Sequence, residues 1–199
     1  DNGVEPCIAD CAAGDRDRSR KIVAAAGNRL RPRRPCAVPQ KPQNAAMLTE
    51  RVILVTGAGG NLGSAVVRLL AGRGALLAAM ERTDAALGRA LSGLDAGRVL
   101  AVPGIDLRDP AACRTLVDRT LQRFGRLDGL VHTVGGFAMA DIDASDLAHW
   151  MGLLEVNLVT TLNLSRAVVP VMRASGRGSI VTIGSAAAAR AGRGMAAYA

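Results

Sequence analysis

A phenol that acts as an acid near neutral pH must have its ordinary pKa of about 10 lowered by a nearby cation. Tyr198 is the only tyrosine of this 199-residue chain, and Ser185 precedes it by thirteen residues. One helical turn beyond Tyr198 is position 202, the natural place for such a cation. The chain ends at Ala199, and no lysine follows Lys41. The Ser185–Ala199 stretch therefore reads as the middle of an active site whose last part is missing. The polypeptide as given is expected to be an inactive, poorly soluble fragment of a longer enzyme.

A second chemical signal stands earlier, in Thr56-Gly57-Ala58-Gly59-Gly60-Asn61-Leu62-Gly63. An apolar run ends here and a helical period begins. Glycines at such a junction let the backbone turn sharply and approach a pyrophosphate. The free N–H groups and positive dipole end of the following helix then face the phosphates. In a strand–turn–helix context this motif predicts dinucleotide binding through Thr56, Gly57, Gly60, Asn61, Leu62 and Gly63. Glu81 ends the next apolar run, eighteen residues after Gly63. A carboxylate there bonds the adenosine ribose hydroxyls and favours NAD, whereas the adjacent Arg82 suits the 2′-phosphate of NADP. Asp106, with Leu107 after it, ends a third run and is placed to touch an adenine. It also reads as an ordinary turn aspartate before Asp109-Pro110.

These residues need elements to hold them. Arg51–Gly57, Ala75–Met80, Arg98–Asp106, Leu127–Val134 and Ser179–Gly184 read as five short strands. Helical periods separate them. The first places Leu62, Ala65, Val66, Leu69 and Leu70 on one face. The second is short and follows Asp84. Another begins with the cap pair Asp109-Pro110, carries Leu116, Val117, Leu121 and Phe124, and stops at Gly125. The last runs from Ser145 or Asp146 through about Met172. Strands alternating with helices predict an α/β fold, a doubly wound parallel sheet of Rossmann type with helices on both faces.

From Met47 onwards the chain resembles the short-chain dehydrogenase/reductase family. The glycine spacing 57, 60, 63 is closer to the family's extended form, since the classical form has glycine where Asn61 stands, while the rest resembles the classical form. The family's Asn-Asn-Ala-Gly corresponds to His132-Thr133-Val134-Gly135, of which only Gly135 is kept. His132 is taken as a strand residue, not a catalytic one. The resemblance implies roles for three residues. Asn157 would hold a water in a proton relay, Ser185 would orient the substrate oxygen, and Tyr198 would be the acid/base. It also implies hydride transfer between NAD or NADP and a carbonyl or secondary alcohol. The full-length form is implied to be a homodimer or homotetramer. Phe137, Ala138 and Met139 imply an apolar near wall but no particular substrate.

Composition narrows the remaining classes. The net charge is +8, but half of it falls on residues 1–46, which hold nine basic and five acidic residues. Over residues 47–199 the two signs are interspersed, as on a solvated surface. The Arg29, Arg31, Arg33, Arg34 cluster has no interleaved aromatic, so no nucleic-acid partner is expected. Nor is a membrane span, since no apolar run is long enough. Residues 1–46, with Pro32, Pro35, Pro39 and Pro42, read as a disordered or non-native extension. Met47 reads as the start, and five acids fit a transit peptide poorly. Cys7, Cys11, Cys36 and Cys113 form no metal or disulfide pattern and read as free thiols in a cytoplasmic protein.

Overall fold

A computed structural model describes residues 48–199, so the expectations for residues 1–46, with Cys7, Cys11, Cys36 and the arginine cluster, lie outside the described residues. Five strands form one all-parallel sheet: β1 (Val52–Thr56), β2 (Leu76–Glu81), β3 (Val99–Pro103), β4 (Gly129–His132) and β5 (Ser179–Thr182). Their order is β3-β2-β1-β4-β5. β1 is buried at every position, as a central parallel strand covered on both faces must be.

Helices α1 (Asn61–Gly72), α2 (Asp84–Leu91), α3 (Pro110–Phe124), α4 (Leu147–Leu154) and α5 (Thr160–Ala174) cover the two faces. One core layer joins Leu54, Val52 and Leu130 to Leu116, Leu164 and Val168. The other joins Ile53, Val55 and Leu77 to Val67 and Leu87. The α/β class and the doubly wound sheet are as the sequence predicts.

β1, β3, β4 and β5 are shorter than predicted, whereas β2 keeps its predicted length and ends one residue later, at Glu81. In α1 the core-facing residues are Gly63 and Val67, with Val66 and Leu70 partly buried, whereas Leu62 and Leu69 are exposed. The helix seats its smallest residue against the sheet, and a search for large apolar side chains overlooks that face. The caps of α3 match expectation. The Asp109 carboxylate accepts from the Ala111 N–H at 2.8 Å, Pro110 opens the helix, and Gly125 closes it at φ 72°.

The predicted long helix departs most. Asp146 caps it by accepting from His149 N–H, but residues Glu155–Val159 form a π-helical turn between α4 and α5. The Thr160 N–H reaches back to Glu155 O. Thr160 and Thr161 hydroxyls donate to the Val156 and Asn157 carbonyls, at 2.7 and 2.9 Å. Asn157 thus sits in the widened turn, a distortion that periodicity does not reveal.

No helix among the described residues is long and apolar enough to cross a membrane. Cys113 is buried on α3, and burial pushes its thiol up to about 11. In the folded chain Cys113 is expected to resist a thiol reagent at pH 8 and to react once denaturant is added. Fast labelling of Cys113 itself in the native state, read from the mass of its own peptide, would overturn that.

Candidate active site at the switch point of the sheet

The chain leaves β1 towards β2 and β3, then crosses back to place β4 on the other side of β1. Loops leaving β1 and β4 diverge there, and the crevice between them is where such sheets bind ligands. A cleft of about 390 Å³ occupies this place, lined among others by Gly57, Gly60, Glu81, Asp106, Thr133 and Gly135. Arg108, Glu155 and Val156 also line it and were not foreseen. Arg108 follows Asp106 by two residues, but the other two enter only because the π turn faces the cleft.

The glycine turn is held closely. Gly57 takes φ 72°, and a Cβ there would stand 2.8 Å from the Thr133 hydroxyl. A Cβ on Gly63 would lie 2.0 Å from the Gly57 carbonyl oxygen. Gly60 N–H donates to Gly57 O at 3.0 Å, and Ala58 N–H donates to Met80 O on β2 at 3.0 Å. Gly60 caps α1 without a side-chain bond, and the first turn of α1 carries no acid. The helix therefore presents its N–H groups without an anionic competitor. This cradle fits a dinucleotide phosphate. Asn61 and Leu62 lie exposed on that first turn.

Glu81 does not hang free at the strand end. One carboxylate oxygen accepts from Gly59 N–H at 2.9 Å, the other from Arg82 N–H at 2.7 Å. Gly59 must be glycine for this, since a Cβ would stand 2.9 Å from the Glu81 Cγ and 2.8 Å from the Ala86 Cβ. Asp106 is gripped by Arg108, whose Nη2 and Nε donate to the carboxylate at 2.7 and 3.0 Å. That side-chain bond, with the Arg108 backbone N–H, lowers the Asp106 carboxyl to about 2. Asp106 is thus both a turn aspartate and part of the cleft wall. Leu107 lines the cleft beside Asp106, while its side chain is 2% exposed and packs in the core. Its carbonyl accepts from Asn163 Nδ2 at 3.2 Å.

His132 and Thr133 bond to residues of β1 and of the start of α5. Thr133 Oγ1 donates to Thr56 O at 2.8 Å, which ties β4 to the start of the glycine turn. His132 is 2% exposed, with Nδ1 at 2.7 Å from Thr56 Oγ1 and Nε2 at 3.4 Å from Thr160 Oγ1. The Thr160 hydroxyl also donates to Val156 O at 2.7 Å. Burial holds the ring below its ordinary value of 6.5. Above that value the ring is neutral in both folded and unfolded chains. As pH falls below 6.5 the unfolded chain takes up a proton that the folded ring refuses, and stability drops. Denaturation curves between pH 8 and 5 are expected to show this slope in the wild type and a shallower one in His132→Asn. Identical slopes would refute it.

The three residues with implied catalytic roles are placed as follows. Asn157 pairs reciprocally with Gly136, its Nδ2 donating to Gly136 O and its Oδ1 accepting from Gly136 N–H, both at 3.0 Å. Ser185 is exposed after β5, and its hydroxyl accepts from Ala187 N–H at 3.2 Å, capping a 3-10 turn. Tyr198 packs its ring edge-to-face against Phe137, with centroids 4.7 Å apart.

A family model described as short chain dehydrogenase matches residues 51–199. The 2,3-dihydro-2,3-dihydroxybenzoate dehydrogenase of Bacillus subtilis is 35% identical over 157 residues, covering 78% of this chain and 60% of that protein. The L-fucose dehydrogenase of Mus musculus is 37% identical over 136 residues, covering 68% of this chain and 48% of that protein. A solved short chain dehydrogenase from Mycobacterium smegmatis superposes with a TM-score of 0.71 at 28% identity, covering 77% of this chain and 65% of that one. The chain thus spans about half to three fifths of the length of the curated relatives it matches. A parallel sheet opening its cleft at the glycine turn, and a match that runs unbroken from Arg51 to Ala199, have one reading: the chain belongs to the short-chain dehydrogenase family.

Proposed function

We infer that the chain is the dinucleotide-binding part of an NAD(P)-dependent oxidoreductase acting on a carbonyl or secondary alcohol. The observation that carries this reading is the glycine cradle at the switch point, facing an uncapped α1 and rimmed by Glu81. When bound, the dinucleotide supplies hydride transfer at its nicotinamide. Gly57, Gly60, Asn61, Leu62 and Gly63 cradle its phosphates, and Thr56, fully buried with its hydroxyl on His132, fixes the start of the turn rather than touching them. Glu81 is assigned to the adenosine ribose, Asp106 to the adenine, and Gly135 to the nicotinamide side. Tyr198 passes the proton to or from the substrate oxygen, Ser185 orients that oxygen, and Asn157 supports the relay. The relatives' names, a dihydrodiol dehydrogenase and a sugar dehydrogenase, support an alcohol or carbonyl substrate.

NAD is preferred over NADP in this reading. Pinned by two backbone N–H groups, the Glu81 carboxylate repels a 2′-phosphate, and the exposed Arg82 lines the same cleft beside it. Calorimetric titration is expected to show NADH binding about tenfold tighter than NADPH, the effect of roughly 1.4 kcal/mol. Equal affinities would remove the NAD preference, and binding of neither would sink the reading. A non-catalytic dinucleotide-binding module is the second reading, favoured by the local use of the Ser185 hydroxyl as a cap.

A homo-oligomer belongs to the same proposal. Leu147, Met151, Leu154, Leu158 and Leu162 recur every three or four residues along α4, the π turn and α5, each between 43% and 74% exposed. Such a stripe seeks an apolar partner, and a second copy presents the same stripe. The double variant Leu154→Glu, Leu158→Glu is expected to convert the full-length protein to a monomer by light scattering. An unchanged assembly would place the interface elsewhere.

A further inference from the structure

The loop after β4 runs against the last residues of the chain, and three contacts hold them together. Ala140 N–H donates to Gly194 O at 2.9 Å. Arg193 Nη2 pairs with Asp141 Oδ2 at 3.1 Å. Phe137 meets Tyr198 edge-to-face, with an interplanar angle of 83°. The last of these differs in kind, because it touches the side chain assigned to the chemistry and comes from a residue that is itself 56% exposed. A large aromatic left that open is not a core residue, and core packing does not account for its place.

The backbone just before Phe137 is fixed from the other side. Asn157 in the π turn spends both ends of its amide on the backbone N–H and carbonyl of Gly136, and so holds the peptide units on either side of that residue. The approach is so close that a Cβ on Gly135 would lie 2.9 Å from Asn157 Oδ1, and one on Gly136 would lie 2.9 Å from Val156 Cγ1. With its peptide clamped at Gly136, the chain has little freedom in the direction it gives the Phe137 side chain. Tyr198, in contrast, lies in a short irregular segment, tied locally by its own N–H to Met195 O at 3.1 Å. That bond fixes the backbone and leaves the ring direction to whatever packs against it.

We propose that Phe137 is a positioning residue for Tyr198, and that Asn157 acts on the tyrosine through the Gly136 peptide and the Phe137 ring. The edge-to-face geometry limits the rotation of the phenol, because the quadrupoles of the two rings favour this angle over stacking or splaying. Asn157 therefore serves as a mechanical brace for the acid/base, whatever else it holds. The inference rests on the assignment of Tyr198 as acid/base made above, but the placement of its ring can be read without any reaction.

The chain has one tyrosine, so a sample carrying tyrosine with labelled ring carbons gives one set of ring signals. In Phe137→Leu these signals are expected to move towards their denatured positions, since the shielding by the facing ring is lost. Asn157→Ala is expected to move them in the same direction, and Asn157→Asp, which keeps the acceptor but not the donor, by less. Phe137→Trp restores a displaced, non-denatured position. Leu69→Ala, an equally exposed change on α1, leaves the signals alone. Far-UV circular dichroism shows that each variant is folded, and Phe137→Leu tests the ring contact even if Asn157→Ala fails to fold.

In the full-length protein Phe137→Leu is expected to lower kcat by up to about tenfold while the KM for the dinucleotide stays unchanged. Unmoved tyrosine signals in Phe137→Leu overturn the proposal, as does a shift in Phe137→Leu with none in folded Asn157→Ala or Asn157→Asp. A wild-type chain that binds no dinucleotide but keeps the Phe137-dependent signals would sink the proposed function and leave the ring placement standing.

Discussion

Replacing Gly63 with alanine is expected to abolish dinucleotide binding and to cost about 3 kcal/mol of folding stability. The new Cβ would stand 2.0 Å from the carbonyl oxygen of Gly57 and 2.7 Å from its carbonyl carbon. No rotamer relieves such a contact, because both partners are backbone. Either α1 lifts from β1 or the turn between them opens. Lifting α1 strips Val67 from its place against Ile53, Val55 and Leu77, which are all buried in the same layer. Opening the turn breaks the Gly60 N–H bond to Gly57 O and the Ala58 N–H bond to Met80 O. In both cases the N–H groups at the start of α1 no longer converge on one phosphate. Two neighbouring glycines calibrate the effect. Gly60→Ala brings a Cβ to 3.3 Å from Gly57 O, a contact that a small shift relieves, so a partial loss is expected. Gly72→Ala meets nothing within 4 Å at the end of the same helix and should be neutral or mildly stabilising. Denaturant titration reads the stability and calorimetry with NADH reads the binding. A folded Gly63→Ala chain with wild-type affinity would show that the cradle is not where the phosphates sit.

The same glycine shows what the sequence could and could not disclose. The spacing of 57, 60 and 63 predicted a tight strand–turn–helix junction, and the junction is there. It did not disclose that Gly63 is also the face on which α1 seats, because a periodicity built on large side chains chose Leu62 and Leu69, both exposed. Glu81 was legible as the carboxylate at the end of β2. Its two bonds to Gly59 and Arg82 were not, since a hydrogen bond across a turn leaves no period in the sequence. Asn157 was legible as a residue on the long helix but not as a member of a π turn. In that turn two threonine hydroxyls donate to the Val156 and Asn157 carbonyls, bonds that leave no period in the sequence. His132 was legible as a strand residue, and its hydroxyl partners come from β1 and from the start of α5. Local chemistry writes itself in order along the chain, whereas contacts between elements distant in sequence appear only once the sheet has set the strand order.

Tyr198→Phe is expected to lower kcat of the full-length protein by about 10²–10⁴-fold, the usual contribution of a positioned acid/base. The affinity for the dinucleotide should not change. The substitution is clean because the bonds that place Tyr198 do not involve its hydroxyl. The backbone N–H donates to Met195 O, and the ring packs on Phe137. Phenylalanine keeps both and deletes only the group that exchanges the proton. Ser185→Ala is not clean in the same sense. The Ser185 hydroxyl accepts from Ala187 N–H, so its removal frees a turn as well as a substrate contact. That cap is worth about 1 kcal/mol, and the stability of Ser185→Ala must be measured beside its activity. If Ser185 orients the substrate oxygen, kcat falls by about 10²-fold or more with only this small loss of stability. If it is a cap alone, stability falls and kcat does not. The two readings of the protein separate on the tyrosine. A full-length enzyme inactivated by loss of one hydroxyl, with the dinucleotide still bound, makes Tyr198 the acid/base. Activity retained in Tyr198→Phe would move the proton transfer to another group, and a full-length wild type that binds the dinucleotide but turns over no alcohol or ketone would be a binding module on an oxidoreductase fold.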